Sequence, residues 1–225
     1  MVLLLSLPLG WFALKMREAE RQRVALDEIR KAGGAVYYDT QLQWESETRA
    51  GAWLSWFVED AFSEFVVSFS GTQATDAELE HLNRLERLRL LTLSGTQITD
   101  TGLEHLSGLT NLDTLHVSNT QITDNGLERL KGLKELQWLH LSDTQITDVG
   151  LEHLSGLRRL RVLGVANTEV TDNGLKHLKG LTKLEWLNVS DTQVTDEGID
   201  ELQKALPNCR IYVRKKRGRK AAMGS

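Results

Sequence analysis

Cysteine is almost missing from this chain. The one copy, Cys209, cannot close an intrachain disulfide and cannot anchor a zinc site built on a cysteine cluster. Proline is nearly as scarce, with two copies in 225 residues, which argues against a long disordered linker. A Gly-rich phosphate loop, a nucleophile elbow and a metalloprotease motif are all lacking, so neither catalysis, a cofactor nor a bound metal is expected. Excess positive charge is lacking too. The formal charge is −4, and the segment from Arg214 to Lys220 holds six positive charges, which leaves −10 on the remainder. That balance points away from nucleic acid as a partner. Residues 214–225 read as a basic, disordered tail. Aromatics make up only 6% of the residues, so a cluster of them at one surface carries information.

Repetition is what the chain has in abundance. A threonine recurs at Thr72, Thr96, Thr120, Thr144, Thr168 and Thr192, always 24 residues apart, and Asp76, Asp100, Asp124, Asp148, Asp172 and Asp196 keep the same step. The clearest copy is LDTLHVSNTQITDNGLERLKGLKE, from Leu112 to Glu135. With Leu112 as position one, apolar residues fall at positions one, four, six, eleven, sixteen, nineteen and twenty-two. Leu115 and Val117 share one face by the period of two, which predicts a short strand with its other face in solvent. Leu127 and Leu130 stand three apart, which predicts a short helical stripe. Thr123 or Asp124 is expected to cap that helix, and Gly132 to end it in a left-handed conformation. One strand and one helical turn cannot bury a core alone, but stacked copies can. The fold expected is an α/β solenoid of 24-residue period, with a parallel concave sheet and short convex helices. A stretch such as DTQITDVGLEHL, Asp143 to Leu154, holds acids, hydroxyls and a histidine, yet a catalytic constellation does not recur at every twenty-fourth residue. These positions therefore read as scaffold.

The pattern L-x-x-L-x-L-x-x-T-x-I-T-D-x-G-L-x-x-L resembles a leucine-rich repeat. The T-D-x-G-L end is similar to F-box-associated leucine-rich proteins. It is more similar to bacterial proteins that join a membrane helix, a G-G-x-V-x-Y-D segment and T-x-[IV]-T-D-x-G-L repeats, and this chain carries Gly33-Gly34-Ala35-Val36-Tyr37-Tyr38-Asp39. The resemblance implies that the threonine hydroxyl serves the inter-repeat hydrogen-bond ladder. It also implies that Met1 lies within a membrane helix and that the chain is membrane-associated by a single-pass anchor. Residues 1–14 are apolar and accordingly read as part of that anchor, although fourteen helical residues span only about 21 Å.

Residues 15–63 are expected to form the N-terminal cap. They comprise a helix over 15–32 with Val24, Leu26 and Ile29 apolar, a strand from Ala35 to Asp39, and a short helix beginning at Trp53. The repeats occupy 64–213 and end in a closing strand near Ile211 and Val213, with Cys209 a buried hydrophobe.

Function is sought where side chains on the concave sheet depart from the template. Position three reads Val66, Leu90, Thr114, Trp138, Val162 and Trp186, and position five reads Ser68, Thr92, His116, His140, Gly164 and Asn188. Trp138 and Trp186 lie two strands apart, roughly 10 Å at ~4.8 Å per strand, on either side of a gap at Val162 and Gly164. The expected function is a non-enzymatic, membrane-tethered protein-interaction module. Its partner would bind through Trp138, Trp186, His116, His140, Thr114, Val162 and Asn188. The alternative is an adaptor or regulatory subunit of an enzyme complex, as the F-box-associated resemblance implies.

Overall fold

The computed structural model describes residues 9–38 and 65–214. The expected helix at Trp53 and the tail beyond Arg214 lie outside them. Helix α1 (Leu9–Lys31) leads into strand β1 (Ala35–Tyr38), followed by β2 (Phe65–Ser68) and a 3-10 helix (Asp76–Arg84). Five repeats follow: β3 (Leu88–Thr92) with α2 (Asp100–Glu104), β4 (Thr114–His116) with α3 (Asp124–Arg129), β5 (Trp138–His140) with α4 (Asp148–Leu154), β6 (Val162–Gly164) with α5 (Asp172–Leu178), and β7 (Trp186–Asn188) with α6 (Asp196–Ala205). Strand β8 (Arg210–Tyr212) closes the sheet. The strand order is sequential, antiparallel from β1 to β2 and parallel from β2 to β8. This is the α/β solenoid that the 24-residue period predicts.

The register places each template position beside its copy. Leu115, Leu139, Leu163 and Leu187 are consecutive partners along the sheet, and all four are fully buried. Leu127, Leu130 and Leu133 enter the same core from the convex side.

The T-D-x-G-L signature has a physical cause. Thr123 Oγ1 accepts from Asn125 N–H and so caps α3. Asp124 does not cap its own helix. Its carboxylate reaches into the next repeat, where Oδ1 accepts from Thr147 N–H at 2.8 Å and Oδ2 from Thr147 Oγ1 at 2.6 Å. The same clamp joins Asp76 to Thr99, Asp100 to Thr123, Asp148 to Thr171 and Asp172 to Thr195. The glycine two residues after the next repeat's aspartate makes room for it, since a Cβ on Gly150 would collide with Asp124 Oδ1. The first helical segment uses its own acid instead: Thr75 N–H and Oγ1 both donate to Glu78.

Two local expectations differ from the structure. The recurrent threonine hydroxyl donates within its own repeat, as Thr120 does to Val117 O at 2.6 Å. The inter-repeat ladder is carried by backbone, for example Asn119 N–H to Ser142 O. Left-handed backbone occurs in the β-turn side of each repeat, at Asn119, Asp143, Asn167 and Asp191, and not at Gly132. Asn and Asp tolerate that conformation better than other side chains. Asp143 of the quoted stretch is thus a turn residue.

The N-terminus requires a correction. Among the described residues no helix is long and apolar enough to cross a membrane, which overturns the single-pass anchor. Charged residues begin at Lys15 and continue to Lys31 within α1. The buried stripe of that helix is Ala19, Gln22, Ala25, Leu26 and Ile29, while Val24 is exposed. Ala25, Leu26 and Ile29 join the core with Phe69, Leu79 and Leu82, so α1 covers the open end of the solenoid, as its cross-section demands. Gly33 ends α1 with φ +84°, and Gly34 lies where a Cβ would meet Ile29 and Phe69. At the other end Cys209 is buried, and burial pushes its thiol up to about 11, so it packs as a small hydrophobe.

Candidate interaction surface

Because positions four and six point into the core, positions three and five line the opposite, concave face of the sheet. The pairing fixes two rows. Thr114, Trp138, Val162, Trp186 and Arg210 form one, and His116, His140, Gly164, Asn188 and Tyr212 form the other. The structure therefore brings all seven sequence-nominated residues to one surface. It does not leave them equally open. Thr114 is buried and its hydroxyl donates to Asp113 Oδ1 at 2.8 Å. Trp138, Val162, Trp186, His116, His140 and Asn188 are half-buried. Asn188 Oδ1 accepts from Ser190 N–H.

Trp138 is not bare. The Arg161 guanidinium carbon lies 5.9 Å from the centre of its ring, within range of a cation–π attraction. Arg161 Nε and its terminal nitrogen each donate to Glu185 at 3.0 Å, so the guanidinium is held from both sides. Arg161 and Glu185 were not among the nominated residues. Both occupy position two, at the N-terminal margin of the strands, and alternating charge between neighbouring copies of that position was the available signal.

The expected gap at Gly164 is filled. A Cβ there would stand 3.1 Å from His140 Nδ1, so the His140 ring lies against the glycine. His116 meets His140 edge to face, with ring centres 4.5 Å apart at 82°. Burial holds both imidazoles below their ordinary pKa, and the neighbouring His140 lowers His116 further. Among the described residues no group of three or more His, Cys, Asp or Glu could hold a metal ion. The other histidines, His81, His105, His153 and His177, sit half-buried on the convex side.

The lowered imidazole pKa values carry a sign. Between the folded values and the unfolded value of about 6.5, the unfolded chain binds more protons, so stability is lost as pH falls through that window. We predict that acidification from neutral pH lowers the melting temperature of the wild-type chain more than that of a His116→Gln/His140→Gln variant. Equal losses in a melting series across that range would contradict the assignment.

No curated protein matches the chain. Similar solved structures include internalin C2 of Listeria monocytogenes, at 22% identity over 66% of this chain and 80% of that one, with a TM-score of 0.47. A leucine-rich repeat protein of Leptospira interrogans is 24% identical over 59% of this chain and 33% of its own, with a TM-score of 0.49. A second Listeria internalin is 21% identical over 64% of this chain and 52% of its own, with a TM-score of 0.41. The family described as leucine-rich repeat region matches residues 65–212, most of the chain and the whole stack from β2 to β8, and the protein belongs to that family.

Proposed function

We propose that the protein is a non-enzymatic interaction module that binds a protein partner on its concave sheet. Trp138 and Trp186 are the anchors, and His116, His140, Val162 and Asn188 form the surrounding contact surface, with Thr114 supporting its edge. The observation that carries this reading is the row Trp138–Val162–Trp186. It places two half-buried tryptophans two strands apart on the face that the leucine column leaves to solvent. Tryptophan offers large contact area at low entropic cost and is enriched among binding hot spots. The Arg161–Glu185 pair fixes the Trp138 side of the surface before a partner arrives, which reduces the ordering cost of binding.

The test is affinity capture with the full chain, followed by titration of the captured protein against variants. Trp138→Ala and Trp186→Ala are each expected to weaken binding roughly 30-fold with little change in melting temperature. His153→Ala, on the convex side, is expected to bind as the wild type does. A partner that binds the double tryptophan variant unchanged would defeat the proposal. A large loss of stability in that variant would also defeat it, since the tryptophans would then be shielding the sheet.

A further inference from the structure

A second surface adjoins the tryptophan row at the C-terminal end of the solenoid, where Arg210 follows Trp186 and Tyr212 follows Asn188 across the sheet. Burial alternates residue by residue along the last strand. Arg210, Tyr212 and Arg214 are exposed, whereas Ile211 and Val213 are partly buried and pack against the core. The three exposed side chains share one face by the period of two. Neither Arg210 nor Arg214 has a side-chain partner among the described residues, in contrast to Arg89, Arg129, Arg159 and Arg161, each of which pairs with an acid of an adjacent repeat. The two guanidinium groups thus bracket an exposed tyrosine.

Among the described residues, no strand pairs with the outer side of this strand. Arg210 N–H donates to Glu185 O, Tyr212 O accepts from Val189 N–H, and Arg214 O accepts from Asp191 N–H. These residues point their main-chain groups at β7. By the alternation of a parallel ladder, Ile211 and Val213 point theirs the other way. Among the described residues no strand follows β8, so this edge carries a row of donors and acceptors suited to an added strand.

We propose that β8 is a docking edge for an acidic extended peptide of another protein, which adds to the sheet as a ninth strand. Cross-strand neighbours on one face repeat every second residue. The face of β8 therefore selects a peptide with acids at positions i and i+4, opposite Arg210 and Arg214, and an aromatic or aliphatic residue at i+2, opposite Tyr212. The two arginines lie four residues apart, about 13 Å along an extended chain, a span that two adjacent acids cannot bridge. The charge balance favours this location. Outside the segment from Arg214 to Lys220 the chain carries −10, so an acidic ligand is repelled from most of the surface and attracted to this end. A nucleic acid matches the charge but not the edge, because a phosphodiester backbone cannot pair with alternating N–H and C=O groups.

The proposal goes beyond the tryptophan surface, which the site adjoins at Trp186, because it rests on the outer edge of β8. The probe is a fluorescein-labelled synthetic peptide containing Glu-Thr-Tyr-Thr-Glu, titrated with the full chain and followed by anisotropy at low salt. Saturable binding is expected, weaker for a peptide of the same composition with its two glutamates adjacent, and lost for one with lysine in their place. Arg210→Glu/Arg214→Glu is expected to weaken binding about tenfold or more. Val213→Pro, which removes an edge donor but no charge, is expected to weaken it several-fold. Trp138→Ala, three strands away from β8, is expected to bind the peptide as the wild type does, which separates this site from the tryptophan pair. Four results would overturn the inference. These are equal binding of the glutamate-adjacent peptide, no effect of the charge-reversed variant, tighter binding of an oligothymidylate or of phosphatidylserine vesicles than of the peptide, and self-association of the free chain that the peptide cannot displace.

Discussion

Replacing Leu139 with alanine is expected to lower the unfolding free energy by about 2–5 kcal/mol, the usual range for truncating a core leucine. Leu139 is fully buried and stands between Leu115 and Leu163 in the leucine column. In a solenoid each repeat touches only its neighbours. The cavity left in the fifth strand must therefore be relieved by adjacent repeats, whose backbones are tied by inter-repeat bonds such as Val117 N–H to His140 O and Leu141 N–H to Gly164 O. Little collapse is available, which favours the upper part of the range. Urea denaturation of parent and variant measures the difference directly. A variant as stable as the parent would mean that the repeat register is wrong.

The second large effect is expected at Asp124. Its carboxylate is half-buried and accepts from both the N–H and the hydroxyl of Thr147. Alanine there removes two charge-assisted bonds and strands two donors between repeats. The expected cost is about 1–3 kcal/mol. Asparagine keeps the shape and one acceptor oxygen, so Asp124→Asn is expected to recover part of that loss. A chemical denaturation series of the three proteins checks the order. Identical stabilities would show that the clamp contributes nothing.

These two residues mark how far the sequence was legible. Leu139 belongs to a pattern whose meaning is local, because strand periodicity alone says which face is buried. The register of the whole sheet then follows from the constant 24-residue step. Asp124 belongs to a pattern whose meaning is not local. Within one repeat, an aspartate after Thr123 looks like an ordinary helix start, and Gly126 looks like a spacer. Asp124 acts 23 residues later, at Thr147 in the next repeat, and Gly126 leaves room for the Asp100 carboxylate of the preceding one. Internal recurrence of Thr, Asp and Gly at fixed spacing was the available clue.

The N-terminal segment shows the opposite error. An apolar stretch at a chain end suggested a membrane anchor, whereas the described helix turns Ala19, Ala25, Leu26 and Ile29 onto the first repeat. Those residues are spread across a charged sequence and show no continuous run. On the concave face the rows were legible from position three and position five, but packing within them was not. Nothing in the order of residues shows that His140 lies over Gly164, or that Arg161 reaches back to Trp138 while Glu185 holds it.

The central claim is that the recurrent Thr-Asp-x-Gly constellation is a clamp between repeats, which leaves function to the sheet surfaces. A double-mutant cycle on Asp124 and Gly150 tests it most directly. In an ordinary helix, glycine to alanine gains up to about 1 kcal/mol. Here the new Cβ collides with Asp124 Oδ1, so Gly150→Ala is expected to destabilise the wild-type chain by about 1–3 kcal/mol. With Asp124 already alanine that collision is gone, and only the contact with Ile146 Cγ2 at 2.9 Å and a looser one with Leu127 remain. The same substitution should then cost about 1 kcal/mol less at the minimum, and the two effects should fail to add. Additive losses across the cycle, or a Gly150→Ala variant that gains stability in the wild-type background, would contradict the clamp.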